Sequence, residues 1–303
     1  MSSISPFAPD APRLLFSDMD SSLLDHDSYD WSPAAMWLER LSALGVPVIP
    51  VTSKTRSELL TLRRELGLEW TPFVAENGAV VGLPQAWRHA RSARPADADG
   101  LVVHTLGIDI GFIRQRLAVW RERLGVRFTP MSEMSLERLA EITGLAEHDA
   151  RLARMREGSE PLIWEDSDAR LAAFREGLAG DGLRTVQGGR FWHVTGNADK
   201  GDAVAWLIAR FAAVRGVRPT TLALGDGPND VSMLEVADRA VVIAARHGLK
   251  VSPAQTMLYR TRAFGPRGWA EGVEYWWGQA GAEPLESMPS VATPDEQGGR
   301  AHE

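Results

Sequence analysis

The sequence predicts an α/β fold: a doubly wound, Rossmann-like parallel sheet interrupted by a second α/β domain. Three observations lead there. Apolar runs of strand length alternate with segments of helical period, the pattern of βαβ units. Polar clusters close several of those runs: Asp18-Met19-Asp20, Thr52-Ser53-Lys54-Thr55 and Gly225-Asp226-Gly227-Pro228-Asn229-Asp230. Between the second and third clusters, residues 87–196 carry a separate set of helix and strand signals.

The elements follow in order. Leu14–Ser17 reads as a short buried strand. Ser32-Pro33 reads as an N-cap with proline at the first helical position. Trp37, Leu38, Leu41 and Leu44 then form one apolar face, and Gly45 is the stop. Val46–Val51 is the next strand, Glu58–Leu66 the next helix, and Phe73–Ala75 a strand that ends in the turn Glu76-Asn77-Gly78. The 87–196 block offers a strand at Leu101–Leu106 and a helix whose apolar positions are Ile110, Ile113, Leu117, Trp120 and Leu124, with Gly125 as its stop. It continues with a helix at Ser135–Thr143, a strand at Pro161–Trp164, a helix at Asp168–Leu178 and a strand at Phe191–Val194. Thr221–Leu224 and Ala240–Ala244 return to the first sheet, joined by a helix bearing Met233, Leu234 and Val236. The domain reading is therefore a discontinuous core (12–86 and 197–280), an insert (87–196) and flexible termini (1–11 and 281–303), the last rich in Pro, Glu, Ser and Gly.

Composition narrows the function classes. The chain has 303 residues and no cysteine, which rules out a disulfide framework or a thiolate metal site. No apolar run is long enough to span a bilayer, and the opening residues lack the pattern of a signal peptide, so a cytoplasmic location is expected. The formal net charge is -7, yet residues 282–303 hold five carboxylates against one arginine. The remainder is close to neutral, which argues against binding a nucleic-acid backbone or an anionic membrane and favours a small-molecule partner.

In an open parallel sheet ligands bind beyond the carboxyl ends of the strands. Asp18 and Asp20, Thr52–Lys54, and Asp226 to Asp230 would converge there, and several ionised carboxylates at close range need a cation. All-oxygen donors favour a hard ion, Mg²⁺ first.

With Lys200 at the head of a later helix, these clusters resemble the four motifs of the haloacid dehalogenase superfamily of phosphohydrolases, in the expected order. Pro47–Thr55, Glu76–Ala79, Gly188–His193 and Ala198–Gly201 further resemble mannosyl-3-phosphoglycerate phosphatases, which release phosphate to give the compatible solute mannosylglycerate. The resemblance spans about residues 13–280. It implies Asp18 as the nucleophile that forms an aspartyl-phosphate and Asp20 as acid and base. Lys200, Thr52 and Ser53 would hold the phosphoryl oxygens. Mg²⁺ would be bound by Asp18, the Asp20 carbonyl and Asp226, with Asn229 and Asp230 behind them. The superfamily's usual Gly-Thr after the second aspartate is Ser21-Ser22 here, which places a Cβ where backbone freedom is often used.

The insert carries the substrate reading. Gly188, Gly189 and Arg190 suit a carboxylate or phosphate, but also read as a hairpin turn. His193 reads as a ligand contact or a core histidine. Glu76 and Asn77 read as sugar contacts or a tight turn. Arg156, Glu157 and Glu160, in a loop of the insert before a strand, read as sugar contacts or, more simply, a solvated charge run, while Trp87, Trp164 and Trp192 read as core residues or sugar platforms. A glucosyl analogue, a sucrose phosphate and a phosphomutase reaction remain open beside the mannosyl substrate. A phosphorylated receiver module, being short and without an insert, fits less well.

Overall fold

The structure, a computed structural model, describes residues 11–88, 95–188, 191–245 and 251–278. Its strands are β1 (Arg13–Ser17), β2 (Val48–Pro50), β3 (Phe73–Ala75), β4 (Val80–Leu83), β5 (Val102–Thr105), β6 (Phe128–Pro130), β7 (Ser159–Trp164), β8 (Arg184–Gly188), β9 (Phe191–Thr195), β10 (Thr220–Gly225), β11 (Arg239–Ala244) and β12 (Leu258–Phe264). Its α-helices are α1 (Ala35–Ala43), α2 (Arg56–Glu65), α3 (Ile110–Leu124), α4 (Leu136–Thr143), α5 (Glu147–Ala153), α6 (Asp168–Gly180), α7 (Lys200–Arg215), α8 (Val231–Val236) and α9 (Gly265–Trp277).

Five parallel strands in the order β12-β11-β10-β1-β2 form the expected sheet. Both of its faces are covered, which is why β1 is a continuous apolar run rather than an alternating one. Leu14 and Phe16 pack with Leu207 of α7 and Met233 of α8, while Leu15 packs with Trp37 of α1 and Trp269 of α9. Register places Ser17 beside Leu224 and Pro50, so Asp18, Thr52 and Asp226 emerge at one edge.

The inserted layer is an antiparallel sheet, β6-β7-β9-β8, with α3 and α6 packed through Ile113, Leu117, Phe174 and Leu178 onto Leu162 and Val194. The strand read at 101–106 does not belong to it. As β5 it pairs with β4, from Val80↔Thr105 to Leu83↔Val102, and Val102 lies in the same apolar cluster as Trp87, Val81 and Phe211. Strands β3-β4-β5 thus extend the core side, linked to it by the bridge Val51↔Val74, and the insert starts at α3. Contiguity in sequence suggested the other assignment; the apolar surface of Trp87 and Val102 decides it.

Local chemistry differs in one place. Ser32 is not a cap: it opens a 3-10 turn, and Asp30 accepts from both its backbone N–H and its hydroxyl at 2.9 Å. Thr55 caps α2 in a reciprocal box with Glu58, and Asp199 does the same for α7 with Asp202, fixing Lys200 as the first helical residue. The three tryptophans considered as sugar platforms are packing residues. Trp87 lies 5.4 Å from Phe211 and Trp164 lies 5.3 Å from Phe174, while Trp192 packs with the insert core. The acidic 281–303 segment lies outside the described residues.

Candidate active site

Asp18 follows β1 directly and is 7 % exposed. Its position is fixed from below: its N–H donates to the Leu224 carbonyl, its own carbonyl accepts from the Ser17 hydroxyl, and Trp269 donates to that hydroxyl. Lys200 Nζ lies 2.6 Å from Asp18 Oδ1 and 2.6 Å from Asp230 Oδ1, with its side chain fully buried. Burial alone would lower the lysine's pKa, but Asp18 and Asp230 outweigh that and raise it, so the ammonium is charged. Burial, and then the neighbouring Asp230, push Asp18 well above the ordinary carboxylate range.

Asp230 is committed as well. Its second oxygen accepts from the N–H groups of Asp226 and Gly227 at 3.0 and 2.8 Å. Gly225 is required for this fold-back, since a Cβ there would lie 2.5 Å from the Asp230 carboxyl carbon. Asp226 accepts from Ser22 at 3.2 Å and is raised to about 6 by burial and by Asp230. Oxygens of Asp18, Asp226 and Asp230 lie within 4.8 Å of one another. One lysine does not neutralise three carboxylates, so the cluster fits a hard cation. Asn229 donates its amide N–H to the side-chain oxygen of Asn77 at 3.2 Å.

Asp20 sits on the rim, 38 % exposed at its side chain, and pairs with Lys54 Nζ at 2.9 Å. The chain that follows pays for its shape: Ser21 takes φ +61°, a left-handed conformation that is costly for a residue with a Cβ, so the backbone keeps the turn although the usual glycine is missing. Thr52 is buried beside Asp18's strand, and its hydroxyl accepts from the Lys54 N–H at 3.2 Å. Ser53 is half-buried next to it.

The residues read as sugar contacts divide. Glu76, 1 % exposed and at φ +51°, has its carboxylate filled by the N–H groups of Glu157 and Gly158 and the Ser159 hydroxyl at 2.8, 3.2 and 2.6 Å. It joins core to insert, and its acceptors are spent there. Asn77 and His193 do line a cleft of about 370 Å³ between the two layers, together with Lys200, Asn229 and Ser159. Gly188 ends β8; Gly189 and Arg190 lie outside the described residues. The charge run at 156–160 is not solvated. Glu157 pairs with Arg56, Glu160 is fully buried against Arg114, and Arg156 reaches the carbonyl of Ser53. The sequence reading assigned no role to Lys54, although it stands within the Thr52–Thr55 cluster.

His193 is lowered to about 4 by burial and by Arg156, so it is neutral near pH 7 and can both donate to and accept from a hydroxyl. Its folded pKa lies below its unfolded value of 6.5. Stability should therefore be unaffected above the unfolded value and fall as pH drops toward 4, because only the unfolded chain takes up the proton. Melting curves across that window should show a shallower loss in His193→Gln; an unchanged slope would mean that His193 is not buried neutral.

Two family models match the chain: a haloacid dehalogenase-like hydrolase over residues 15–99, and sucrose-6F-phosphate phosphohydrolase over residues 192–277. The first match includes Asp18, Asp20 and Thr52; the second includes Lys200, Asp226 and Asp230. Among solved structures, a superfamily phosphatase from Bacteroides thetaiotaomicron is 16% identical with a TM-score of 0.61, over 92% of this chain and 99% of that one. A protein of Thermotoga maritima is 18% identical with a TM-score of 0.60, over 90% and 98%. A subclass IIB sugar phosphatase is 17% identical with a TM-score of 0.58, over 87% and 98%. At such identities the likeness is one of fold. The family matches are confined to residues 15–99 and 192–277, the two segments that carry the site described above.

Proposed function

We propose that the protein is a phosphatase that hydrolyses a glycosyl-3-phosphoglycerate, mannosyl-3-phosphoglycerate first, through an aspartyl-phosphate on Asp18. One observation carries the reading. A buried carboxylate at a strand end, held 2.6 Å from a buried lysine, has a second, rim-exposed carboxylate two residues on. That is a nucleophile beside an acid–base group, arranged as a phosphoryl transfer needs them.

Asp18 Oδ attacks phosphorus, the bond to the ester oxygen breaks, and Asp20 gives its proton to the departing alkoxide. Water then attacks phosphorus of the acyl phosphate and Asp20 takes its proton, which returns the Asp18 carboxylate and releases inorganic phosphate. Lys200 and Thr52 hold phosphoryl oxygens, with Ser53 beside them. Asp18, Asp226 and the Asp20 carbonyl would hold Mg²⁺, with Asp230 and Asn229 behind, and the ion supplies neutralisation of phosphoryl charge. The cleft lined by Asn77, Asn229 and neutral His193 offers the uncharged donors and acceptors that sugar hydroxyls take.

The sucrose-phosphate type of match over 192–277 favours a second reading, a different sugar phosphate in the same cleft. Phosphate release should be compared over mannosyl- and glucosyl-3-phosphoglycerate, sucrose 6-phosphate and p-nitrophenyl phosphate. A kcat/KM for a glycosyl-3-phosphoglycerate about a hundredfold above the others supports the first reading; sucrose 6-phosphate in that place selects the second. Chelation should remove the activity and Mg²⁺ restore it, and the Mg²⁺ needed should rise as pH falls through about 6, where protons compete for Asp226. Full activity after exhaustive chelation would exclude the metal.

A further inference from the structure

We propose that Arg156, carried by the insert, reads an anionic group on the part of the substrate that leaves, and so is a specificity-determining residue of the cleft. The inference deepens the phosphatase reading and rests on it. Arg156 is half-buried, and among the described residues no carboxylate lies within 4.0 Å of its guanidinium. Its bonds all go to neutral acceptors: the Ala153 carbonyl at 3.0 Å, the Ser53 carbonyl at 3.0 Å and the Ser159 hydroxyl at 3.3 Å. The neighbouring arginines contrast with it, since Arg56 is paired with Glu157 and Asp97, and Arg114 with Glu160. Glu76 is reached only through the Ser159 hydroxyl, and its own oxygens are filled.

Leaving a partly buried cation without an anion is costly unless an anion arrives. The placement says where the anion would come from. Ser53 follows Thr52, which the proposed mechanism puts at the phosphoryl oxygens, so Arg156 would touch the phosphate-binding loop from the insert side. It also donates to the hydroxyl of Ser159 and depresses the proton affinity of His193, and both of those residues line the cleft. From there a guanidinium would meet a carboxylate carried by the leaving group next to the phosphoester. Its planar fork is suited to that partner, and an ammonium would reproduce it only in part.

A plain structural joint predicts the same contacts, so the test uses selectivity. Wild type, Arg156→Ala, Arg156→Lys and Glu76→Gln are compared with Mg²⁺ on 3-phosphoglycerate and glycerol 3-phosphate, which differ by a carboxylate against a hydroxymethyl group. The wild type should prefer the carboxylate ester. In Arg156→Ala the ratio of kcat/KM values should fall about 30-fold or more, with Arg156→Lys in between. In Glu76→Gln, which loosens the same joint and leaves the guanidinium, both values should fall with their ratio kept. An unchanged ratio in Arg156→Ala, or the same loss of ratio in Glu76→Gln, overturns the proposal. If the wild type hydrolyses neither ester, the ratio of dissociation constants is read by calorimetry. A carboxylate preference that depends on Arg156 then upholds the subsite, the phosphatase reading being decided separately by phosphate release from the glycosyl substrates, and equal or absent binding of the two esters overturns the subsite.

Discussion

Replacing Asp18 by Asn should lower kcat by about a thousandfold or more, because an amide neither attacks phosphorus nor binds a cation as a carboxylate does. The fold should survive the change. Asp18 is held by backbone bonds to Leu224 and through Ser17 to Trp269, and none of these involves its carboxylate. Far-ultraviolet spectra and cooperative unfolding should stay native while phosphate release disappears. Single-turnover kinetics decide the matter: more than about a tenth of the wild-type rate would remove Asp18 from the chemistry.

Lys200→Met should be costly in a different way. The ammonium lies 2.6 Å from both Asp18 and Asp230, and its side chain is fully buried. Its removal leaves two carboxylates facing each other in a site already crowded by Asp226, and breaking a buried pair on one side costs about 3–5 kcal/mol. Denaturant unfolding should show that loss together with loss of activity. Saturating Mg²⁺ should narrow the difference, since a bound cation supplies part of the missing charge. A loss below about 1 kcal/mol would mean that the carboxylates neutralise themselves by protonation, and that Lys200 is not what keeps them ionised.

Lys200 by itself reads as a solvated charge and was legible only through the resemblance to the four motifs. Asp18 had a local signal, since it follows an apolar run that must be a buried strand. The core sheet was readable for the same reason, as strands buried on both faces are nearly unbroken apolar runs. Ser21 was flagged because a Cβ stands where glycine is usual, and its φ of +61° bears out the concern about the backbone. What escaped the reading is long-range. Glu76 meets its partners 81 to 83 residues away, and Arg156 meets Ser53 across 103 residues. No spacing rule connects such positions, so a candidate sugar contact turned out to be a joint, and a run read mainly as solvated charge turned out to be bonded across the layers. Helix α5 was missed because Glu147–Ala153 has little apolar stripe of its own and is held by contacts with α4. The strand at 102–105 was assigned to the wrong layer because adjacency along the chain stood in for adjacency in space.

The central claim is that phosphate passes through a covalent bond to Asp18, and acid-quenched mass spectrometry of Asp20→Asn tests it most directly. This variant keeps the nucleophile but lacks the base for the second step, so a reactive ester such as p-nitrophenyl phosphate, which needs little help in leaving, should load the protein and release it slowly. The account predicts one phosphoryl group per chain, located by peptide mapping at Asp18 and discharged by hydroxylamine. Phosphate release at an undiminished rate with no adduct, or an adduct on any other residue, would contradict it.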